Sequence, residues 1–425
     1  MWSRGTWIFS RVYARIKFMQ NDPYRNAVAQ LKQIGEILKL DKKVITKLSN
    51  PDKVHKIQLR VKMDNGKTKK FQAYRSEHNN SKGPYKGGIR YHHNVSESEV
   101  KALSMWMTWK CSVASLPYGG GKGGIIVDPS KLSKGELERL SRAYGKWAAG
   151  WAGPWRDVPA PDVNTDGQIM AWMLDEIEKT KTPAERMSVN WKASFTGKPL
   201  AIGGSQGREE ATGMGGFYTL ENLVKKMKLP KKNVTLAVQG MGNVGYWFAK
   251  LASEAGYKVV AISNSRGGIY DKRGLVIDEH LRSRKSNITN DKLLLLPVSV
   301  LVPSALENVI TKEVAAKIQA KAIIEMANGP VTPEADVILS KRGILSVPDV
   351  LANAGGVTVS YFEWVQNLHG AVWSKEEVLT KLKTVMDRAF AEMWDKYQQL
   401  KVNLRMSAYA NAVARVAEAM KLTIE

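Results

Sequence analysis

The sequence predicts an α/β protein of two or three domains, one of them built on a parallel sheet. Three observations carry that prediction. The chain has 425 residues and an apolar fraction of 44%, ordinary for a globular protein. Its second half alternates short apolar runs with helical patterns: Val234–Gln239, Val244–Ala255, Lys258–Ile262, Val298–Val302, Ala322–Glu325 and Ile344–Val347. Such alternation implies parallel strands joined by crossover helices. The texture also changes near Phe195, where glycine and serine cluster through Gly197–Gly207, marking a boundary.

The elements follow in order. Residues 1–18 are rich in arginine and hold no acid, a composition resembling a transit peptide. The favoured reading is an extension ahead of a start at Met19. Asp22-Pro23 opens a helix from about Tyr24 to Leu40, with the aspartate as cap and the proline in the first turn. Two alternating runs, His55–Val61 and Lys70–Tyr74, flank Asp64-Asn-Gly66 and read as a hairpin. Ser96 with Glu99 forms a capping box for a helix to about Ser115. Ser133 with Glu136 opens another, carrying Trp147, Trp151 and Trp155 at four-residue spacing, a core or subunit-interface stripe. Arg208–Lys228 reads as a helix, Ser374 with Glu377 caps a long helix over Lys375–Leu400, and Ser407–Met420 is a last, alanine-rich one.

Composition narrows the classes of function. The formal charge of +24 attracts anions. The basic residues are spread along the chain and read as a solvated surface, so nucleic acid is not an expected partner. No apolar run approaches the roughly 20 residues of a membrane span. The single cysteine, Cys111, excludes an internal disulfide framework and points to a reducing compartment. The expected location is cytoplasmic, with organellar import through residues 1–18 as the alternative. Cys111 stands alone and His92-His93 lacks partners at ligand spacing, so no metal site is expected.

Chemistry concentrates in Leu116-Pro-Tyr-Gly-Gly-Gly-Lys122-Gly-Gly-Ile-Ile-Val-Asp-Pro129, a glycine-rich loop around one lysine. Glycine lets backbone approach a ligand closely. A lysine held there should have a lowered pKa and can act as a general base. Gly83-Pro-Tyr-Lys86-Gly-Gly-Ile-Arg90 is a second such loop, and Lys110 lies on the helix between them. Three converging lysines depress one another's pKa and favour a bound dianion. Asp157-Val-Pro-Ala-Pro-Asp162 sets a carboxylate after a proline-bracketed turn.

Val234–Gln239 runs into Gly240-Met-Gly242-Asn243-Val244-Gly245, a strand, a GxGxxG turn and a helix. That context marks a dinucleotide site: the glycines permit a tight turn and close approach of pyrophosphate, and the helix start offers N–H groups to the phosphates. After the second strand comes Ser263-Asn264-Ser-Arg266 rather than a carboxylate. NAD or NADP would fit, with a slight lean to NADP.

Taken together, KGGIR, LPYGGGKGG, DVPAPD, GREEATG, QGMGNVG, EMANGP and LANAGGVTVSYFEW closely resemble the glutamate dehydrogenase group of the Glu/Leu/Phe/Val dehydrogenase family, from Asp22 to the C-terminus. The resemblance implies an α/β substrate-binding and oligomerisation domain at 19–195, a Rossmann-like NAD(P)-binding domain at 196–400, and C-terminal residues from about 401–425 returning to the first. It implies reversible oxidative deamination of an L-amino acid by a homo-oligomer, usually a hexamer. Carried across, Lys122 activates the water that attacks the iminium, Asp162 shuttles protons at the amino nitrogen, and Lys110 binds the α-carboxylate. Thr212, Asn243 and Asn353 are implied cofactor contacts, together with Gly240, Gly242, Val244, Gly245 and Asn264, while Ala327 and Asn328 lie close by. Family members acting on leucine, valine or phenylalanine have apolar residues at the positions of Lys86 and Ser360; both are polar here and suit a γ-carboxylate. The expected substrates are therefore glutamate, 2-oxoglutarate and ammonium. The alternatives are a branched-chain or aromatic amino-acid dehydrogenase, or a noncatalytic basic binding protein on the same fold. Met326, Ser304 and Asn264 depart from the family's common glycine, alanine and aspartate.

Overall fold

The computed structural model describes residues 22–282 and 286–423, so the reading of residues 1–18 lies outside the described residues. Packing divides the chain into two units. The first runs to Gln206 and includes Val357–Val378 and the residues from Ala412; the second comprises Gly207–Gly356 and Leu379–Asn411. Helices of eight residues or more are numbered below.

The first division thus falls after the texture change at Phe195, because segment 195–206 is bonded into the first unit. Thr196 N–H donates to the Pro159 carbonyl (3.1 Å) and the Asn367 amide to the Gly203 carbonyl (2.7 Å).

The first unit begins with α1 (Pro23–Leu38), whose start is capped by the Asp22 carboxylate accepting from Tyr24 N–H. The hairpin strands are β1 (Lys53–Lys62) and β2 (Thr68–Asn79). Their turn closes with Met63 N–H donating to the Lys67 carbonyl (2.8 Å), and Gly66 takes a φ of 79° that favours glycine. Then follow β3 (Tyr85–His92), α2 (Glu97–Val113), β4 (Gly120–Ile126), α3 (Lys134–Ala148), β5 (Asp157–Pro161) and α4 (Gly167–Lys179). The sheet order is β1-β2-β4-β3-β5, antiparallel at β1/β2 and β2/β4 and parallel at β4/β3 and β3/β5. Leu59, Phe71, Ile89 and Ile125 from the sheet form one core with Leu140, Tyr144, Met173 and Ile177 of α3 and α4.

Both glycine-rich lysine loops are therefore strands, and so is the proline-bracketed turn before Asp162. Glycine and proline carry no strand propensity, which hid all three from pattern reading. The glycines are needed because protein atoms crowd these strands. A Cβ on Gly87 would overlap the Gly121 carbonyl, one on Gly120 would overlap the Ser104 carbonyl of α2, and one on Gly88 would fall 2.6 Å from Asp162 Cβ.

The tryptophan stripe is also altered. α3 ends at Ala148, so Trp151 and Trp155 lie beyond it. Trp151 joins the core, while Trp155 is 62% exposed and packs edge-on against Trp364.

The second unit opens with α5 (Ala211–Lys226), followed by β6 (Thr235–Gln239), α6 (Asn243–Glu254), β7 (Lys258–Asn264), β8 (Gly267–Tyr270), β9 (Val300–Pro303), β10 (Ala322–Ile324), α7 (Pro333–Lys341) and β11 (Leu345–Val347). Its sheet order is β11-β10-β9-β6-β7-β8, parallel except for the β7/β8 edge. The chain reverses its winding at β6, with β7 on one side and β9 on the other. Doubly wound sheets bind ligands at the carboxyl ends of strands at such a switch point. The division between units falls again within α8 (Gly355–His369); α9 (Lys375–Leu400) and α10 (Leu404–Thr423) complete the chain. No helix of the described residues is long and apolar enough to cross a membrane.

Candidate active site

In the first unit, β4 presents Lys122 opposite Ser76 of β2, with β3 paired on its other side. The lysine is 4% exposed and its Nζ donates to Asp162 Oδ2. Asp162 follows the last residue of β5. Its Oδ1 accepts from Arg90 Nε (2.8 Å), and its backbone N–H donates to Thr165 Oγ1 (2.8 Å). Arg90, on β3, also donates to Glu99 Oε1 at 2.5 Å.

This arrangement revises the capping box of α2. Ser96 Oγ accepts from Glu99 N–H as the pattern requires (3.2 Å), but the Glu99 carboxylate is taken by Arg90. A residue read as a helix signal thus belongs to a chain of charges running Glu99, Arg90, Asp162, Lys122.

Burial and charge set the protonation of the pair. Burial is the largest influence on Lys122 and lowers its pKa; Arg90 and Lys110 lower it further, against the pull of Asp162. Burial alone would raise Asp162, but Lys122 and Arg90 outweigh it and hold the carboxyl well below the usual carboxylate range. Lys110, on α2, is close enough for its charge to reach Lys122. Lys86, on β3 opposite Val158 of β5, is 1% exposed. The charges of Lys86, Lys110 and Lys82 all act on the buried Cys111 thiol, which burial nevertheless pushes up to about 12. The three predicted lysines and Asp162 therefore gather in one neighbourhood. Ser360 is buried on α8, beside Tyr361, whose ring packs edge-on against Tyr118 just ahead of β4.

Beneath the site, Arg75 of β2 is fully buried and paired with Asp157, Nε to Oδ2 at 2.7 Å. Its Nη1 donates to the Gly87 carbonyl at 3.1 Å, so one guanidinium joins β2, β3 and β5. Arg75 and Arg90 were not singled out from the sequence, and Glu99 was read only as a helix cap; for Arg75 the available signal was a charge next to the alternating run Lys70–Tyr74.

In the second unit, Gly240 takes a φ of 95° and a Cβ there would fall 2.6 Å from Ala305 Cβ. A Cβ on Gly245 would overlap the Gly240 carbonyl. Around Gly242, however, a Cβ would meet nothing within 4 Å. α6 starts there without a side-chain cap, and the N–H groups of a helix's first turn have no partner within the helix. Val244 follows in the first turn, and the Asn243 amide donates to the Glu209 carbonyl at 2.7 Å. Thr212 sits in the first turn of α5, and a Cβ on Gly356 would fall 2.6 Å from its Oγ1. Asn353 donates to Asn328 Oδ1 (3.0 Å) and to the carbonyls of Met326 and Ala327. Its own Oδ1 and Gln239 Oε1 are buried without a hydrogen-bond partner among the described residues. Open backbone at the glycine turn and orphaned buried amide oxygens fit a dinucleotide. Gln239, at the end of β6, is a candidate that sequence reading did not single out. Asn264 ends β7, exposed, its Oδ1 accepting from Arg266 N–H (2.8 Å).

Met326 is 3% exposed, and its side chain fills space against α5, where a Cβ on Gly216 would overlap the sulfur. The departure from glycine is thus accommodated by a glycine on the facing helix.

Family models match both halves: the Glu/Leu/Phe/Val dehydrogenase dimerisation domain over residues 51–179, and the Glu/Leu/Phe/Val dehydrogenase model over 203–423. The chain belongs to the Glu/Leu/Phe/Val dehydrogenase family. It is 48% identical over 384 residues to the catabolic NAD-specific glutamate dehydrogenase of Bacillus subtilis, covering 88% of this chain and 89% of that one. The glutamate dehydrogenase structure from Peptoniphilus asaccharolyticus is 43% identical with a TM-score of 0.86, covering 95% of this chain and 99% of that one. A leucine-bound form of the hetero-hexameric glutamate dehydrogenase of Thermus thermophilus is 35% identical with a TM-score of 0.89, covering 96% and 99%. The family match makes the chain a two-domain α/β oxidoreductase, with the Rossmann-like sheet in the second unit.

Proposed function

We propose that this protein is an NAD-dependent glutamate dehydrogenase, catalysing reversible oxidative deamination of L-glutamate to 2-oxoglutarate and ammonium. The observation that carries the reading is the buried Lys122–Asp162 pair in the field of Lys110 and Arg90. Lys110 binds the α-carboxylate. Lys86 and Ser360, both buried polar groups, receive the γ-carboxylate; an apolar substrate side chain would set hydrocarbon against these buried polar groups in place of a carboxylate, at a large cost in affinity. A nicotinamide dinucleotide held by the second unit would supply the acceptor for the hydride that leaves Cα. Lys122, its pKa lowered by burial, removes a proton from the water that adds to the resulting iminium carbon. Asp162, ionised beside Lys122 and Arg90, carries protons to and from the amino nitrogen, so that ammonia leaves as the carbonyl forms. In the second unit, Gly240, Gly242, Asn243, Val244 and Gly245 would hold the pyrophosphate, and Thr212, Asn264, Ala327, Asn328 and Asn353 are the further residues that would contact the dinucleotide.

The lean to NADP rested on Arg266 and the missing carboxylate after β7. The B. subtilis relative is NAD-specific, and nothing at the exposed Arg266 commits it to a 2′-phosphate. NAD is the better reading. The assembly is a homo-oligomer, with a hexamer the expected form; residues 51–179 match a domain model described as dimerising.

Replacing Lys86 by Leu together with Ser360 by Val tests the substrate reading. Initial rates should shift towards 2-oxoisocaproate and away from 2-oxoglutarate. If 2-oxoglutarate stayed strongly preferred, the account of side-chain selection would fail.

A further inference from the structure

One turn beyond Ser360 on α8, Glu363 is fully buried. Its Oε2 accepts from Gly197 N–H at 2.7 Å. Its Oε1 accepts from Lys198 N–H at 3.3 Å and from the Lys198 ammonium at 2.6 Å. The ammonium also donates to the Phe195 carbonyl at 2.6 Å. Among the described residues, the donors to this carboxylate come from one short segment, and that segment is bonded to β5. Thr196 N–H donates to the Pro159 carbonyl at 3.1 Å. Gly197 takes a φ of 77°, and a Cβ there would fall 2.5 Å from Pro161 Cδ. Asp162 is the next residue. The contacts extend along the helix, where Gln366 donates to Ser205 Oγ at 3.0 Å and Asn367 to the Gly203 carbonyl at 2.7 Å. Ser360, Glu363 and Asn367 share one helix face by their spacing.

We propose that the Lys198–Glu363 pair is a positioning clamp: it fixes the rotation and axial height of α8 against β5, and so sets Ser360 relative to Lys86, held opposite Val158 of β5, for recognition of the substrate's distal carboxylate. The proposal rests on the glutamate reading given above. A fully buried ion pair is a weak source of stability and can often be replaced by apolar residues without loss of the fold. An apolar pair would fill the volume, but would not fix the helix through directional hydrogen bonds to Gly197 and Lys198.

The experiment is steady-state kinetics on purified full-length E363Q, S360A and the double variant. The readout is the ratio of kcat/KM for 2-oxoglutarate to that for 2-oxobutyrate, which lacks the second carboxylate. KM for NADH is measured alongside. Each single variant should lower the ratio roughly tenfold with KM for NADH unchanged. The double variant should be no worse than the worse single, because both act through one contact. If S360A leaves the ratio unchanged, the reading of Ser360 is wrong and the clamp falls with it. If S360A lowers the ratio and E363Q does not, the clamp alone is overturned. Additive losses overturn it too, since they mean Glu363 acts independently of Ser360. Should E363Q not fold, the K198M/E363M variant replaces it. A folded apolar pair with an intact ratio contradicts the proposal, and a folded pair with the lowered ratio supports it.

Discussion

Both units rely on glycine-rich segments, yet the glycines do opposite things. In β3 and β4 they let protein atoms close in: a Cβ on Gly87 would overlap the Gly121 carbonyl, and one on Gly120 would overlap the backbone of α2. The space gained is filled by the protein itself, and the result is a lysine with almost no water around it. At the β6–α6 turn, Gly240 and Gly245 do similar packing work, but Gly242 faces open space at an uncapped helix start. There the missing side chain leaves room for a ligand. Composition alone does not separate the two uses. What separates them is whether the nearest atoms belong to the chain.

The comparison can be broken at several points. The largest effect should come from Lys122→Ala, which removes the desolvated base. Turnover should fall by about 10³-fold or more, while NADH binding measured by fluorescence stays near its normal value, since the dinucleotide site lies on residues of the other unit. Retained turnover would remove Lys122 from the chemistry. Next comes a matched pair of glycine substitutions. Gly87→Ala should cost at least about 3 kcal/mol, because backbone rather than a flexible side chain is in the way. Gly242→Ala should leave the melting temperature unchanged and weaken NADH binding roughly tenfold through lost approach to the pyrophosphate. Equal melting temperatures for the two variants would erase the distinction drawn here. The smallest effect is on pH dependence. The Asp162 carboxylate favours the protonated form of Lys122, so Asp162→Asn should lower the Lys122 pKa further. The acid limb of the residual kcat/KM profile should therefore move to lower pH. Movement to higher pH would contradict the coupling.

The same contrast explains what the sequence made legible. In the dinucleotide half the parallel strands were readable because they are buried apolar runs, while β8 and the helices at Lys312–Lys317 and Pro333–Lys341 were not read. The strand expected at Val234–Gln239 is Thr235–Gln239, and the helix expected at Lys375–Leu400 has those bounds. The substrate half hid β3, β4 and β5, since glycine and proline there answer to neighbours distant in the chain. Lys86, Lys110, Lys122 and Asp162 stood out as residue types, and the family resemblance supplied their roles. Their supporting charges did not stand out. Glu99 reads locally as half of a capping box, yet Arg90 holds its carboxylate, and Glu363 gives no local signal because its partners are at 197 and 198. Met326, which departs from the family's common glycine, is packed against Gly216.

The most direct test of the account is the initial rate of NADH and NADPH oxidation with 2-oxoglutarate and ammonium, with 2-oxoisocaproate as the control keto acid. Rapid turnover with 2-oxoglutarate, little with the control, and a preference for NADH is the predicted result. A folded protein that binds NADH but turns over neither keto acid, or prefers 2-oxoisocaproate, would contradict it.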